Sequence, residues 1–136
     1  MERILGLDVG EKRIGVAVSD PLGFTAQGVK TIHRESKVKD MKEIEDLLIK
    51  YDIKKVVVGM PKNMNGTMGP SSEMVKKVAE KIKNKFNIEL IYVDERLSTV
   101  SAERVLIEGD VRRENRKKVI DMVAATYILQ TYLDTK

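Results

Sequence analysis

Hydrophobic positions near the start of the chain follow the two-residue period of β-strands. Two runs rich in branched apolar residues, Arg3 to Gly10 and Arg13 to Asp20, are separated by only two polar residues. This spacing is typical of two strands joined by a tight turn. After a break at Pro21, residues 26–32 read as a third strand, and together the three segments predict an antiparallel meander.

The rest of the chain alternates between helical and strand-like segments. Ser36 is placed to cap a helix whose apolar residues recur every three to four positions between Val38 and Ile49. Residues 54–61 form a continuous apolar run, as expected of a strand buried on both faces. A helix is predicted over 70–86 and a strand over 88–94. Ser98 or Thr99 then begins a helix that continues through Ile107 and is broken at Gly109, and a last helix runs from about Asn115 to Leu133.

This order of elements predicts an α/β fold in a single domain of residues 1–136. Strand–helix–strand connections favour parallel, right-handed crossovers, so strands one, four and five should run in the same direction. The sheet is then five-stranded and mixed, in the order 3-2-1-4-5 with strand 2 antiparallel, and helices flank it. The carboxyl ends of strands one, four and five share one edge, which is the usual position of a site in open α/β sheets.

Composition narrows the chemistry that this domain can perform. The 136 residues include no Cys and one His, His33, which excludes disulfides and zinc–thiolate sites and argues against a Ser-His-Asp triad. No apolar run approaches the ~20 residues of a membrane span, and no secretory segment is evident. We therefore expect a cytoplasmic protein without a membrane partner, whose catalysis depends on acids, basic residues or hydroxyls.

Positive charge is concentrated in two segments. The formal net charge is +4, while residues 76–85 and residues 111–119 each contain five basic residues and one acid. The remainder of the chain is therefore net negative. Concentrated basic charge of this kind suggests a surface that faces a polyanion, and the alternative for each segment is an ordinary solvated helix face.

Acidic residues fall at three positions that the predicted fold brings toward one edge. Asp8 interrupts an apolar strand, where a carboxylate needs a cation or backbone donors, unless it simply caps the turn. Asp94 and Glu95 end the fifth strand. Asp121 lies in the last helix, where the pair Ala124–Ala125 would allow close approach to a sheet. The alternatives are an Arg96 ion pair for the strand acids and an exposed position for Asp121.

Carboxylates that converge need a compensating cation. Two unit charges ~4 Å apart repel by about 4 kcal/mol at an effective dielectric constant near 20. Mg²⁺ or Mn²⁺ suits oxygen ligands, and two such ions can activate a water and stabilise a leaving oxygen. An acid cluster beside a basic surface therefore favours phosphodiester hydrolysis.

Four motifs in this order resemble the YqgF-type, or RuvX-like, proteins, which are known as Holliday junction resolvases and as pre-16S ribosomal RNA nucleases. The motifs are ILGLDVGEKRIGVAVSD, VVVGMPKNMNG, IYVDERLST and DMVAATYILQTYL, and they cover nearly the whole chain. The resemblance implies a ribonuclease-H-like fold with divalent metal held by acids on strand one, on a later strand and on the last helix. By motif these acids are Asp8, Asp94 or Glu95, and Asp121.

The chain departs from well-characterised resolvases of this fold, which have an acid at the end of the fourth strand and two in the last helix. Here the fourth strand ends in Gly59-Met60-Pro61, and the last helix motif contains only Asp121. We therefore expect a nuclease that matures precursor 16S ribosomal RNA, with branched DNA as the second substrate class, ribosomal particles as further partners, and either a monomer or a homodimer. The residues expected to contact phosphate are Lys12, Arg13, Lys62, Arg96, Arg112, Arg113, Arg116 and Lys117.

Two other functions are consistent with parts of the sequence. The hairpin LDVGEKRIGVAV also resembles the phosphate-binding hairpin of actin-like ATPases, which bind nucleotide between two such domains. A chain of this length lacks the second domain. The basic segments alone would also suit a non-catalytic nucleic-acid-binding factor in ribosome assembly, which would bind without metal and release no cleavage products.

Overall fold

A five-stranded sheet with helices on both faces forms the protein. The structure, a computed structural model, describes residues 3–60, 70–94 and 113–135, and for residues 70, 71 and 113–119 it describes the backbone alone. The elements are β1 (Arg3–Val9), β2 (Arg13–Ser19), β3 (Ala26–His33), α1 (Lys37–Lys50), β4 (Ile53–Met60), α2 (Pro70–Phe86), β5 (Glu89–Asp94) and α3 (Arg113–Asp134).

The sheet topology confirms the predicted α/β fold. The strand order is β3-β2-β1-β4-β5. The pairs β1–β2 and β2–β3 are antiparallel, whereas β1–β4 and β4–β5 are parallel. The carboxyl ends of β1, β4 and β5 therefore lie at one edge, which we call the upper edge. The helix predicted from Ser98 or Thr99 lies outside the described residues.

One face of the sheet packs against α1 and α2. Alternate residues of β1 and β2, including Leu5, Leu7 and Val16, are fully buried in this larger core. Ser36 caps α1 as predicted, because its side chain accepts a hydrogen bond from the backbone N–H of Lys39. The predicted apolar stripe of α1 is partly wrong. Met41, Ile44 and Leu48 are buried as predicted and Leu47 joins them, whereas Val38 and Ile49 at the two ends are 79% and 72% exposed.

The other face packs against α3. Ala125, Ile128 and Leu129 are buried there together with Ile4 and Val57 from the sheet. Ala124 is fully buried as well, whereas Tyr127 of the same helix is 37% exposed. Among the described helices, none is long and apolar enough to cross a membrane.

Glycines in the sheet allow α3 to lie close to the strands. A Cβ atom at Gly6 would come within 2.7 Å of the Leu129 Cβ and 3.2 Å of the Ala125 carbonyl oxygen. A Cβ atom at Gly15 would overlap the carbonyl group of Asp121. The close approach expected from Ala124–Ala125 is therefore present, and β1 and β2 provide the matching space. The position of Asp121 is set by this backbone contact.

Candidate active site

Asp8 lies one residue before the end of β1, at the upper edge. Its position in β1 is directly opposite Gly15 of β2, and the Cα atoms of such partners are about 5 Å apart. Directly opposite residues extend their side chains from the same face of a sheet. Because Gly6 and Gly15 both face α3, Asp8 faces α3 as well. Its partly buried side chain also takes part in interactions within the protein.

Asp121 reaches the same place from α3. Its backbone carbonyl lies directly over Gly15, the cross-strand partner of Asp8. Two acids that are 113 residues apart in sequence therefore become neighbours across a single strand pair. We call the space bounded by Asp8, Gly15 and Asp121 the acid pocket.

Arg13 closes one side of the acid pocket. Its Nε donates to Asp121 Oδ2 at 2.6 Å, and the two side chains are 35% and 18% exposed, respectively. Such a short, charge-assisted bond fixes the orientation of the carboxylate. A guanidinium carries five N–H donors in a planar fork, so Arg13 can donate to a phosphate while it holds Asp121. The hairpin that was expected to bind phosphate thus also orients a candidate catalytic acid.

Asp94 lies at the upper edge but farther from the acid pocket. It ends β5 opposite Met60 of β4, two strands away from β1, which is about 10 Å across the sheet. The preceding residue, Val93, packs in the core on the α3 face. Since side chains alternate along a strand, the pleat assigns Asp94 to the face opposite that of Asp8. The other candidate for this role, Glu95, lies outside the described residues.

A cluster of three acidic or histidine side chains with metal-binding spacing does not occur within residues 3–60, 70–94 and 113–135. The donor chemistry of the acid pocket nevertheless fits a divalent ion, because Asp8 and Asp121 both offer carboxylate oxygens, the ligands that Mg²⁺ and Mn²⁺ prefer. The guanidinium of Arg13 already compensates the negative charge at Asp121. A divalent ion bound there would therefore share the Asp121 carboxylate with Arg13.

The other predicted phosphate contacts divide into two groups. Lys12 is exposed in the β1–β2 turn, and its carbonyl accepts a hydrogen bond from the backbone N–H of Arg34. His33, which is not one of the predicted phosphate contacts, is exposed at the end of β3. The residues Lys62, Arg96 and Arg112 lie outside the described residues, and for Arg113, Arg116 and Lys117 only the helical backbone is described.

Sequence reasoning missed Gly15 and Arg34. Gly15 interrupts an apolar strand, and a glycine inside a strand often marks the close approach of another backbone. That signal was available. Arg34 carries no comparable signal in the sequence. Its guanidinium donates to the carbonyl of Gly10 at 2.8 Å and approaches the buried carboxylate of Asp40 at 3.5 Å, which ties β3 and α1 to the turn after β1.

Comparison with known proteins gives a consistent set of similarities. A family model described as RuvX, Holliday junction resolvase, matches residues 2–135. A protein of Clostridium tetani named "Putative pre-16S rRNA nuclease" is 57% identical over 133 residues, which cover 98% of this chain and 96% of that protein. A protein of Clostridium perfringens with the same name is 56% identical over 132 residues, covering 97% of this chain and 96% of the relative.

Solved structures resemble the chain in fold. Thermus thermophilus RuvC in complex with a Holliday junction substrate matches with a TM-score of 0.62 at 10% identity, and the match covers 99% of this chain and 95% of RuvC. The fowlpox virus Holliday junction resolvase matches with a TM-score of 0.58 at 15% identity, covering 98% and 99% of the two chains. The ribonuclease-H-like sheet expected from the sequence is thus shared with these resolvases.

Proposed function

Because the chain belongs to the RuvX family, we propose that it is a metal-dependent endonuclease that hydrolyses phosphodiester bonds of structured nucleic acid, with precursor 16S ribosomal RNA as its principal substrate. The observation that carries the proposal is the backbone of Asp121 lying over Gly15, the strand partner of Asp8. Relatives with 56–57% identity carry the name of a nuclease of this precursor, which supports the choice of substrate. Cytoplasmic ribosomal particles are the partners that this substrate implies.

In this proposal Asp8 and Asp121 hold Mg²⁺ or Mn²⁺. A bound ion, or a pair of ions, supplies an activated water and stabilises charge at the leaving oxygen. The chain contributes the rest of the catalytic arrangement. Gly15 keeps the two acids adjacent, and Arg13 fixes the Asp121 carboxylate with its Nε while its remaining N–H groups orient a phosphate oxygen.

A second strand acid completes the proposed ligand set, and Asp94 and Glu95 are the two candidates. The pleat of β5 assigns Asp94 to the face away from Asp8, since Val93 packs on the α3 side. Side chains alternate along a strand, which favours Glu95 over Asp94. Substituting each acid separately distinguishes them. If Glu95 is the ligand, E95Q loses cleavage while D94N retains most of it.

The central test is cleavage of precursor 16S ribosomal RNA by the parent protein and by D8N in the presence of Mn²⁺. We expect D8N to lose about 100-fold or more in the cleavage rate, because a metal-held site contributes several kcal/mol to transition-state stabilisation. RNA binding, measured by fluorescence anisotropy in EDTA, should change little. The matched control is D20N, which alters a partly exposed aspartate in the β2–β3 turn, away from the upper edge.

Each outcome of this test is informative. Loss of cleavage in D8N but not in D20N supports the role of the acid pocket. Equal cleavage by D8N and the parent protein contradicts it. Binding of RNA without cleavage by the parent protein, with or without Mn²⁺, would favour the non-catalytic assembly factor.

The salt dependence of binding tests the basic segment 111–119. If its five basic residues all contact duplex phosphates, the logarithm of the binding constant should fall with the logarithm of the salt concentration with a slope of roughly −4.5.

Junction DNA is the second candidate substrate. The fold that the chain shares with RuvC and the fowlpox resolvase favours it. A four-way junction and the ribosomal precursor, incubated in parallel with the parent protein and D8N, give the direct comparison. Symmetric cutting of a junction requires two active sites, so this activity should be accompanied by a dimer in solution.

A further inference from the structure

A cavity lies on the opposite face of the sheet from the acid pocket, at the same upper edge. It opens between the first turns of α1 and the first half of α2 and has a volume of about 360 Å³, which is in the range of small-molecule sites. Its floor is apolar and includes Ile14, Met41, Met74 and Val78. Ile14 is buried at the start of β2, next to Arg13 of the acid pocket.

The rim of this cavity is predominantly cationic. Arg34, Lys37, Lys77 and Lys81 line it together with two carboxylates, Asp40 and Glu73. The Asp40 carboxylate is already compensated, because it accepts hydrogen bonds from the backbone N–H of Glu35 at 3.2 Å and from Arg34 Nε at 3.5 Å. The three lysines take part in none of the ion pairs among the described residues. With Arg34 and Asp40 cancelling each other, the three lysines and Glu73 give the lining a net charge of +2, which favours an anion.

The spacing of these groups suits phosphate on an apolar body. Lys77 and Lys81 are four residues apart on α2, which places them on one helix face with a rise of about 6 Å between them. Lys37 faces them from α1 across the cavity. Three lysines that line a cavity together with apolar side chains match a ligand with a flat ring and a phosphate, and a nucleotide has this composition.

The cavity also lies within reach of the acid pocket. Arg34 in its wall donates to the carbonyl of Gly10, which is two residues after Asp8. Two extended residues span about 7 Å. Consecutive charges along one strand of a nucleic-acid duplex are about 3.4 Å apart. This rise is measured along the duplex axis, so consecutive phosphates of an extended strand are farther apart, and a strand with one phosphate at Asp8 needs only a few nucleotides to continue over the upper edge to Arg34 in the cavity wall.

We propose that this cavity binds a nucleoside phosphate. The base lies over the apolar floor that includes Ile14 and Val78, and the phosphate lies at Lys37, Lys77 and Lys81. Within a substrate this ligand is a nucleotide of a single-stranded segment that continues from the cleaved bond, an inference that rests on the proposed nuclease function. A free mononucleotide has the same chemistry and is the other source. The site gives a role to part of the basic segment 76–85, whose charge the acid pocket does not use.

The test measures binding of a labelled five-nucleotide single-stranded RNA by fluorescence anisotropy in EDTA, where no cleavage is required. The K77E/K81E variant should bind at least about 10-fold more weakly than the parent protein, and its logarithmic salt slope should fall by about 1.4 because two contacts are lost. The matched control is K83E/K85E, which reverses the same charge in the last turn of the same helix, away from the cavity. It should weaken binding by less than about 3-fold.

If the two double variants weaken RNA binding equally, the proposal is overturned, because RNA is then attracted to the charge of α2 in general. Unchanged RNA binding in K77E/K81E would overturn it as well. Thermal melting of both variants and the milder K77A/K81A variant separate lost contacts from lost folding. Competition by adenosine monophosphate identifies a free mononucleotide as an accepted ligand, whereas competition by RNA alone identifies the strand nucleotide. Competition by inorganic phosphate as strong as that by the nucleotide would contradict a base subsite.

The readout is independent of catalysis, so failures of the two proposals can be told apart. If D8N cleaves as well as the parent protein, the nuclease assignment to the acid pocket fails, yet selective loss of RNA binding in K77E/K81E still supports the cavity. If D8N is inactive and the two double variants bind RNA equally well, the cavity proposal fails alone.

Discussion

Two arginine–aspartate pairs flank the upper edge of the sheet, one on each face. Arg13 and Asp121 on the α3 face are 2.6 Å apart and 35% and 18% exposed. Arg34 and Asp40 on the α1–α2 face are 3.5 Å apart and only 22% and 8% exposed. The shorter contact thus belongs to the more open pair. An open pair can exchange its partner for a ligand, whereas a buried pair mainly holds the local structure.

The surroundings of the two pairs differ in the same sense. Asp121 is fixed through its backbone, because the helix rests on Gly15 and no side chain separates them. Asp40 is fixed through its carboxylate, which accepts hydrogen bonds from Glu35 and Arg34 near the first turn of α1. The Asp121 carboxylate is therefore not needed to hold α3 in place, and it contacts the partly exposed Arg13. The Asp40 carboxylate instead accepts the hydrogen bonds that position Arg34 in the cavity wall.

Of the substitutions considered, valine at position 15 should lower the stability of the protein most. Any Cβ atom there overlaps the carbonyl group of Asp121, and a β-branched side chain worsens the overlap, so α3 must move away from β2. We expect G15V to lower the free energy of unfolding by about 3 kcal/mol or more and to abolish cleavage. Chemical denaturation and the cleavage assay measure the two effects.

The control for Gly15 is G28A. A Cβ atom at Gly28 meets only the Met122 side chain, at 2.8 Å from its Cγ, and a methionine side chain can adopt another rotamer. We expect G28A to cost less than about 1 kcal/mol and to keep cleavage. Equal losses in G28A and G15V would show that the backbone contact is not what holds Asp121.

Alanine at position 40 should have the next largest effect. D40A leaves the partly buried Arg34 guanidinium and the Glu35 N–H without their shared acceptor, which we expect to cost about 2 kcal/mol in unfolding free energy. Single-stranded RNA binding should weaken because the cavity wall loses its support. The matched control is D46A on the same helix, since the exposed pair of Asp46 with Lys42 contributes less than about 1 kcal/mol. Equal denaturation midpoints for the two variants would contradict this reading of the buried pair.

Most of the fold was predictable because local patterns determine it. The strand order, the hairpin and the Ser36 cap follow from alternation, crossover handedness and capping chemistry, which are properties of neighbouring residues. The face of α3 was harder to predict, because its large apolar residues, among them the exposed Tyr127, extend beyond the packed side. That side is set by Gly6 and Gly15, which are distant from α3 in sequence and against which Ala125, Leu129 and the Asp121 backbone lie.

The candidate site was predictable in part for the same reason. Asp8 stands out in its own strand, and its meeting with Asp121 followed from the sheet edge and the small residues of the last helix. The face of Asp94 depends on which alternate residues of β5 pack on the α3 side, and the uninterrupted apolar run from Leu90 to Val93 does not distinguish the two faces. The Arg34–Asp40 pair joins two elements with no motif at either residue, so nothing local pointed to it.

Alanine at position 13 tests whether the Arg13–Asp121 pair, unlike the Arg34–Asp40 pair, exchanges its arginine for a metal ion. A divalent ion at Asp121 must share Oδ2 with the Arg13 guanidinium, and like charges repel. We expect R13A to tighten Mn²⁺ binding about fivefold, which corresponds to about 1 kcal/mol, while RNA binding weakens. The free Mn²⁺ concentration, followed by electron paramagnetic resonance, gives the affinity. K12A removes a neighbouring charge in the same hairpin and should leave Mn²⁺ binding unchanged. Weaker Mn²⁺ binding in R13A would mean that Arg13 holds the carboxylate in a binding orientation.

The smallest effect should come from Asp20, a carboxylate at the opposite end of the sheet with no arginine partner among the described residues. Backbone N–H groups of Thr25 and Phe24 donate to its Oδ1, and these bonds lower the pKa of Asp20 below its usual value of 3.8. A lowered pKa means that the stabilisation is fully present above the unfolded-state pKa and is lost as the pH falls through the folded-state pKa. The neutral variant D20N, whose amide oxygen still accepts hydrogen bonds, should therefore melt up to about 2 °C below the parent protein at pH 7. The difference should shrink as the pH falls below 3.8 and through the lowered pKa, because Asp20 then becomes protonated and uncharged like the asparagine. A difference that persists unchanged at pH 3 would show that the carboxylate charge contributes nothing to this turn, in contrast to the two arginine-bound acids at the upper edge.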